Sequence, residues 1–217
     1  MIKRRTQENK WFYFFNTVIL VLFSLLIIIP IWNILVSSVS SSSGLAENGL
    51  VLWPRGFTWE NYRKVFSDDS IPRAFLISVL KTLIGAVTHT LFCAVVAYGL
   101  SKSRLIGRNI YTTLGVITMY FGGGMIPTYL LIKSLGLLDS FWVYIIPALF
   151  SYYDVVILMN FFREIPPSLE ESAKIDGASE FQIFYKIFLP LTKPALATII
   201  LFNGVGQWND FMTTKLY

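Results

Sequence analysis

Long apolar stretches with almost no charged residues dominate this sequence. Each is long enough to cross the hydrocarbon core of a bilayer as a helix, and they cover residues 11–36, 75–100, 110–133, 141–162 and 194–212. Hydrophobic residues make up 54% of the chain and charged residues only 14%, whereas about a quarter of the residues in a soluble domain are charged. The sequence therefore predicts an all-α, polytopic transmembrane helix bundle of five spans, forming a single domain over residues 1–217.

The distribution of basic residues predicts how these spans are oriented. Basic side chains in short connections favour the cytoplasmic side of a membrane. The pattern predicts a cytoplasmic N-terminus, an external loop at 37–74, and a core at 75–212 whose loop 163–193 is cytoplasmic. A signal-anchor is the alternative interpretation of the first span. The basic residues that support the orientation are Lys3, Arg4, Arg5, Lys10, Lys102, Arg104 and Arg108, and those in the external loop that weaken it are Arg55, Arg63, Lys64 and Arg73.

The loop before the last span is polar and reads "EESAKIDGASEFQIFYKIFLP" over residues 170–190. Two consecutive prolines, at positions 166 and 167, stop the preceding span from continuing. Ser168 and Glu171 have the spacing of a capping box, which predicts a helix that begins at Leu169 and runs to Asp176. Gly177 follows at the position where a left-handed residue closes a helix.

A second short helix follows this turn. Ser179 and Gln182 have capping-box spacing, and the helix should end near Leu189 because Pro190 follows. Pro194 then begins the last span, in the first turn, where proline is tolerated.

The first of these two helices is too short to be stable alone in water and needs a surface to dock against. Carboxylates and small side chains would suit an arginine-lined groove on a cytoplasmic partner. They would equally suit a solvated amphipathic loop on the membrane surface, so the residues alone leave both interpretations open. The outward groups expected on this helix and its turn are Glu170, Glu171, Ser172, Ala173 and Ala178.

The same loop resembles the EAA loop of ABC importer permeases. Ser172 stands where the family pattern has its middle alanine. Segments elsewhere, "FTWENYRKVF", "AYGLSKSRLIGR", "MIPTYLLIKSLGLLDS" and "NGVGQWNDF", are similar to the carbohydrate-uptake branch of that family, with its maltose-type and polysaccharide permeases. The residues that match the EAA pattern at the family's spacing are Glu171, Ala173, Gly177, Ile187, Leu189 and Pro190.

This resemblance implies a division of labour among several chains in a bacterial cell membrane. The EAA loop would dock into a cytoplasmic ABC ATPase dimer, which binds ATP and Mg²⁺, so this chain would need no cofactor. A second permease subunit, an extracytoplasmic solute-binding protein and a sugar substrate complete the expected partners. Members of the family have six spans, which predicts that this chain is truncated at its C-terminus. The residues expected to dock are Glu170, Glu171, Ala173, Asp176, Gly177 and Ala178.

Polar residues inside the spans are candidates for a substrate path, because a polar or ionisable group in a membrane is costly and faces a cavity or a partner. Structural bonds or packing between helices are the alternative for the polar residues, while Tyr152 is a candidate because aromatic rings stack on sugar rings, although aromatics are common throughout this chain. Three consecutive glycines, at 122–124, should break or loosen the third span. The path candidates are His89, Tyr152, Asp154, Asn203, Gln207 and Asp210, of which positions 203, 207 and 210 would share one helical face.

Several functions are disfavoured by what the sequence contains. There is no phosphate-binding loop motif, so the chain is not expected to be the ATPase. One cysteine and one histidine make a zinc centre unlikely to form, and we predict no catalytic residues and no metal. No basic run interleaved with aromatics points to nucleic acid. The alternatives to a sugar importer are an ABC permease for a non-sugar solute and an ATP-independent membrane carrier or sensor.

Overall fold

The computed structural model describes residues 10–45 and 49–217, so the basic residues Lys3, Arg4 and Arg5 lie outside the described part. In that part the regular elements are helices, and the one β feature is an isolated antiparallel bridge between Ser40 and Phe57. The all-α prediction is confirmed. The chain divides into two compact units, Met1–Arg73 and Ala74–Tyr217.

The first unit contains one long helix and a short returning segment. α1 spans Lys10–Ser38, α2 spans Ser42–Leu45 and α3 spans Glu60–Ser67. Side-chain hydrogen bonds join the segment that follows α1 to the end of that helix. Trp32 Nε1 donates to the Leu52 carbonyl at 3.0 Å, and Asn61 Nδ2 donates to the Ser40 carbonyl at 3.0 Å. These bonds tie the described residues around Leu52 and Asn61 to the end of the first apolar helix.

The second unit contains the remaining helices. α4 begins at Ser70, before the boundary of this unit, and ends at Ser101. The others are α5 (Arg108–Tyr120), α6 (Met125–Ser134), α7 (Tyr152–Arg163), α8 (Pro167–Ile175), α9 (Glu180–Ile183), α10 (Leu189–Leu191), α11 (Lys193–Asn209) and α12 (Met212–Leu216), with a 3-10 turn at Phe141–Tyr144 and a π-helical turn at Phe184–Phe188 between them.

Two described helices, α1 and α4, are each long and apolar enough to cross a membrane. Two further pairs of helices reach that length only when taken together, and each pair forms either one broken span or a re-entrant loop. The chain bends by 116° between α5 and α6, and by 80° between the helical stretch Glu180–Leu191 and the stretch Lys193–Leu216. The break between α5 and α6 confirms the expected effect of the glycines at 122–124, since Gly124 has a φ of +82°, which favours glycine.

The expectation of one continuous helix over 141–162 is wrong. Residues 145–151 are not helical, and α7 has only 12 residues. Pro147 lies within the break, where its ring and missing N–H oppose a helix. The backbone of the break is bonded by α4 instead, because His89 Nδ1 lies 2.7 Å from the Ala148 carbonyl and Cys93 Sγ lies 3.7 Å from the Ser151 carbonyl. Buried irregular backbone in a membrane protein needs such partners.

The core of the second unit lies where α4, α7 and the stretch 183–199 meet. Ala94 and Ala97 let α4 approach closely, and α7 contributes Leu158 and Phe162, all almost fully buried. The ring of Tyr98 packs on Phe188 with centroids 4.8 Å apart, in an edge-to-face arrangement. This core fixes the root of the EAA loop, residues 163–193, against the end of α4.

Candidate functional site

The first helix of the EAA loop ends in the turn that the sequence predicted. Gly177 has a φ of +80°, its N–H donates to the Lys174 carbonyl at 3.0 Å, and the Ala178 N–H donates to the Ala173 carbonyl at 2.9 Å. These two bonds form a Schellman motif, which requires a left-handed residue at the glycine position. The expected start is wrong, because α8 begins at Pro167 with no side-chain cap, and Ser168 and Glu171 form no capping box. Proline has no N–H that would be left unpaired at the first helical position, and its fixed φ suits a helix, so the helix can begin there without a side-chain cap.

The second capping box is confirmed. Ser179 Oγ accepts from the Gln182 N–H at 3.3 Å, and Gln182 Oε1 accepts from the Ser179 N–H at 2.9 Å. The expected end near Leu189 is wrong, since helical structure continues past Pro190 to Leu191. The wider π-helical turn at Phe184–Phe188 precedes this proline, and such a turn shifts the hydrogen-bond register that Pro190 would otherwise interrupt.

Glu170 does not face outward as expected. One carboxylate oxygen accepts from Lys102 Nζ at 2.6 Å and the other from Lys174 Nζ at 2.7 Å. Partial burial acts to raise the pKa of Glu170, but the hydrogen bonds and charges of the two lysines outweigh it and lower that pKa. The hydrogen bonds to Glu170 and Glu180 in turn raise the pKa of Lys174. Glu170 is therefore an internal anion of the loop.

The exposed tip of the loop consists of other residues. Glu171, Asp176 and Gly177 are exposed, while Ala173 and Ala178 are half-buried and pack against the core. Ile175 is 86% exposed at the end of α8, and sequence reasoning missed it. An isoleucine directly before the Asp–Gly turn of an otherwise polar helix was the available signal. The tip thus combines an exposed apolar side chain with two carboxylates.

Four of the six path candidates line one cleft of about 540 Å³, which we call the polar cleft: Asp154, Asn203, Gln207 and Asp210. Gln207 Nε2 donates to the Tyr144 carbonyl at 3.1 Å. Asn203 Oδ1 is buried without a hydrogen-bond partner among residues 10–45 and 49–217. A buried acceptor of this kind is costly unless something donates to it. Asn203 is therefore an unpaired acceptor in the wall of the cleft, with its oxygen almost fully covered in this conformation.

The expectation that Asp210 shares a helical face with Asn203 and Gln207 is wrong, although Asp210 does line the cleft. α11 ends at Asn209, and Asp210 is its extended C-terminal cap. Lys81, from the apolar run of α4, is almost fully buried and donates to the Asp210 carbonyl at 2.6 Å, with the carboxylate 3.9 Å away. Sequence reasoning missed Lys81, although a lysine inside an apolar span was a signal.

His89 is buried and does not line the cleft. Its Nε2 lies 2.9 Å from Asp154 Oδ2, and its Nδ1 faces the Ala148 carbonyl. Each ring nitrogen therefore faces an oxygen, so the pair is satisfied when it holds two protons between the imidazole and the carboxyl group. This geometry agrees with a structural bond between helices for His89, while Asp154 both makes that bond and lines the cleft.

Replacing Asp154 by leucine should destabilise the protein, because the buried Nε2 of His89 loses its partner. We expect a loss of about 1–3 kcal/mol in the free energy of unfolding, and a much smaller loss for Asp154→Asn, which keeps a polar group beside Nε2. Thermal unfolding of both variants in detergent measures the difference. Equal melting temperatures for wild type and both variants would contradict a stabilising His89–Asp154 bond.

Tyr152 does not lie in the cleft with the other candidates. It is 5% exposed, and its ring lies flush against Gly115 of α5. A Cβ atom at position 115 would overlap the ring. The structure therefore places Tyr152 in the contact between α5 and α7, where it serves packing.

A bundle of long and bent apolar helices, with a short helix presented by a polar loop, is the architecture of an integral membrane protein. The chain belongs to the family described as "Binding-protein-dependent transport system inner membrane component", which matches residues 3–217. The recognition of an importer permease from the EAA pattern is confirmed, and the chain is a subunit of a transport system in the inner membrane.

Several of its relatives are named as permeases for polysaccharides or oligosaccharides. The chain is 46% identical, over 91% of its length, to the polygalacturonan/rhamnogalacturonan transport system permease protein YtcP of Bacillus subtilis, and 33% identical, over 90%, to the arabinooligosaccharides transport system permease protein AraQ of the same species. It spans 69% and 72% of those proteins, and 64% of a third relative, LplC of B. subtilis, at 43% identity. It also resembles a chain of a bacterial ABC transporter involved in the import of the acidic polysaccharide alginate, with a TM-score of 0.89 and 33% identity over 95% of this chain and 74% of that one.

Proposed function

We propose that this chain is a pore-forming permease subunit of an ATP-driven importer for oligosaccharides. The observation that carries the proposal is the helix α8, closed by Gly177 and presented with an exposed tip, in a chain whose relatives include a polygalacturonan/rhamnogalacturonan permease and a chain of an alginate importer. An ATPase dimer would bind ATP and Mg²⁺, and this chain would hold no cofactor of its own. A second permease subunit and a solute-binding protein would complete the assembly.

In this proposal the N-terminus and the EAA loop face the cytoplasm. The ATPase contacts the tip through the side chains of Glu171, Ile175 and Asp176, and Gly177 shapes the turn. The exposed isoleucine supplies apolar area, and the two carboxylates suit basic side chains on the partner. Ala173 and Ala178, half-buried against the core, let the tip lie close to the bundle.

The polar cleft is the proposed contribution of this subunit to the sugar path. A saccharide presents hydroxyl groups, which can donate to the carboxylates of Asp154 and Asp210, and a rotation of the Asn203 amide would expose a further acceptor. Each carboxylate has a buried basic side chain nearby, His89 for Asp154 and Lys81 for Asp210. The cleft therefore keeps polar contacts available without a large unbalanced charge.

Uptake into proteoliposomes tests the proposal. The complex is purified with its partners from the native membrane and given labelled oligogalacturonides and arabino-oligosaccharides. We expect uptake that requires ATP on the ATPase side and the binding protein on the other. Uptake driven by a proton gradient without ATP would instead identify an ATP-independent carrier, and ATP-dependent uptake of peptides or amino acids but no saccharide would identify another cargo.

A further inference from the structure

Five side chains near the end of α4 form a closed ring of polar contacts, which we call the ion-pair ring. Lys102 bonds to Glu170, Glu170 to Lys174 at 2.7 Å, Lys174 to Glu180 at 2.8 Å, and the Tyr98 hydroxyl to Glu180 at 2.6 Å. Lys102 Nζ closes the ring by lying 4.0 Å from the centroid of the Tyr98 ring. The members come from three segments: the end of α4, α8 and α9.

Within this ring, the ammonium group of Lys102 contacts both a carboxylate and aromatic rings. Its side chain is 22% exposed and that of Glu170 is 20% exposed. The ammonium also lies 4.5 Å from the centroid of Phe188, so two aromatic faces and a carboxylate surround it. Exposed ion pairs contribute little, whereas a partly buried network with cation–π contacts resists separation.

The helix α8 depends on this ring for its attachment. It has nine residues and none of them is buried, so apolar packing holds it weakly. A helix of that length is not stable alone. Glu170 gives α8 a short polar contact to the end of α4 that crosses 68 positions of the sequence.

α4 connects the ring to the polar cleft. The same helix carries Lys81, bonded to Asp210, and His89, bonded to Asp154. From Lys81 to Ser101, the last residue of α4 and the neighbour of Lys102, the helix rises about 30 Å, nearly the thickness of the hydrocarbon core. A displacement of α8 that pulled on Lys102 would therefore reach the cleft through one rigid element.

We propose that Lys102 is a positioning residue that transmits the movement of α8 to α4 and so to the polar cleft. This role rests on the proposed function, because it assumes that an ATPase moves α8. Lys102 touches neither ATP nor cargo. Its removal should uncouple the motor from the cleft without releasing the motor.

The test compares three variants of the purified complex: Lys102→Met, Lys102→Arg, and Lys193→Met as a matched control at an exposed lysine that makes no ion pair within the described residues. The readouts are ATP hydrolysis, retention of the ATPase, saccharide uptake, and the ATP-dependent change in hydrogen exchange over residues 81–93. We expect Lys102→Met to keep the ATPase and most hydrolysis, while uptake and the exchange change fall about tenfold. Lys102→Arg, which keeps the charge, and Lys193→Met should both resemble wild type.

Two results would overturn the role of Lys102. One is a Lys102→Met complex that loses its ATPase, or loses uptake and hydrolysis in the same proportion, because Lys102 would then serve docking. The other is unchanged uptake and exchange. If Lys102→Met fails to assemble, Glu170→Gln removes the charge that Lys102 contacts and keeps the size of the side chain, and an unchanged ratio of uptake to hydrolysis in that variant overturns the role.

The exchange readout separates this role from the proposed cargo. If wild type takes up no saccharide but ATP still changes exchange over 81–93, and Lys102→Met removes that change, the transmission role stands and the saccharide proposal fails. If ATP changes neither hydrogen exchange nor saccharide uptake in wild type, the transmission role and the proposed function both fail.

Discussion

A Gly177→Val variant should lose its ATPase partner and all ATP-driven uptake. Gly177 has a φ of +80°, and an L-residue in the left-handed region costs about 1–2 kcal/mol, more for a β-branched side chain. A Cβ atom at this position would meet nothing within 4 Å, so the cost comes from the backbone and not from a clash. The turn would open, the Schellman bonds would break, and the tip would lose the shape that the partner recognises.

The chain offers a matched control for this variant. Gly136 also has a positive φ, +67°, and open space around a Cβ, but it lies in the turn after α6. Gly136→Val imposes similar backbone strain away from the EAA loop and should keep the ATPase. Gly177→Asn should retain much of the activity, because asparagine tolerates the left-handed region. The measurement is mass spectrometry of the subunits that copurify in mild detergent. Full retention of the ATPase by Gly177→Val would refute docking through this turn.

A Gly115→Ala variant should strongly destabilise the protein, although it adds only one methyl group to the core. A Cβ at position 115 would overlap three carbon atoms of the Tyr152 ring, and that ring is 5% exposed, so the ring or α5 would have to shift to make room. Overpacking of this kind costs about 1–3 kcal/mol, which should lower the melting temperature in detergent by about 2–12 °C.

A compensating change distinguishes overpacking from other causes. Tyr152→Leu shortens the side chain that meets position 115, so the double variant Gly115→Ala with Tyr152→Leu should be more stable than the sum of the two single effects predicts. Tyr152→Phe keeps the ring and should melt close to wild type. If Gly115→Ala melts like wild type, the close packing of α5 on α7 at this point is wrong. If Tyr152→Phe specifically lowers sugar uptake, Tyr152 acts in the path and not only in packing.

Local rules predicted much of this protein because they act within one or two helical turns. The apolar stretches identified the helices, the glycines at 122–124 identified a break, and the sequence around Gly177 and Ser179 identified a turn and a cap. Each of these depends on neighbours a few positions away. Local rules failed at two helix ends. The first helix begins at Pro167 and not after a cap at Ser168, and a π-helical turn lets the second helix continue beyond Pro190.

The candidate site was less predictable, because its contacts join residues that are distant in the sequence. The sequence alone selected Asp154, Asn203, Gln207 and Asp210 as polar residues in apolar surroundings, and the cost of such groups in a membrane is what marked them. Which of them meet was decided by tertiary packing. It also moved Tyr152 out of the set, since the ring fills the space above Gly115.

The sequence by itself determined that this chain is a helical membrane protein and that its polar loop ends a short helix at Gly177, because hydropathy and backbone conformation are properties of single residues and their near neighbours. Only the tertiary structure decided that Glu170 is an internal anion, that His89 bonds to Asp154 across 65 positions, and that Lys81 reaches Asp210 across 129. Those pairs depend on how the helices cross, and helix crossing is set by the packing of whole surfaces, which no local pattern encodes.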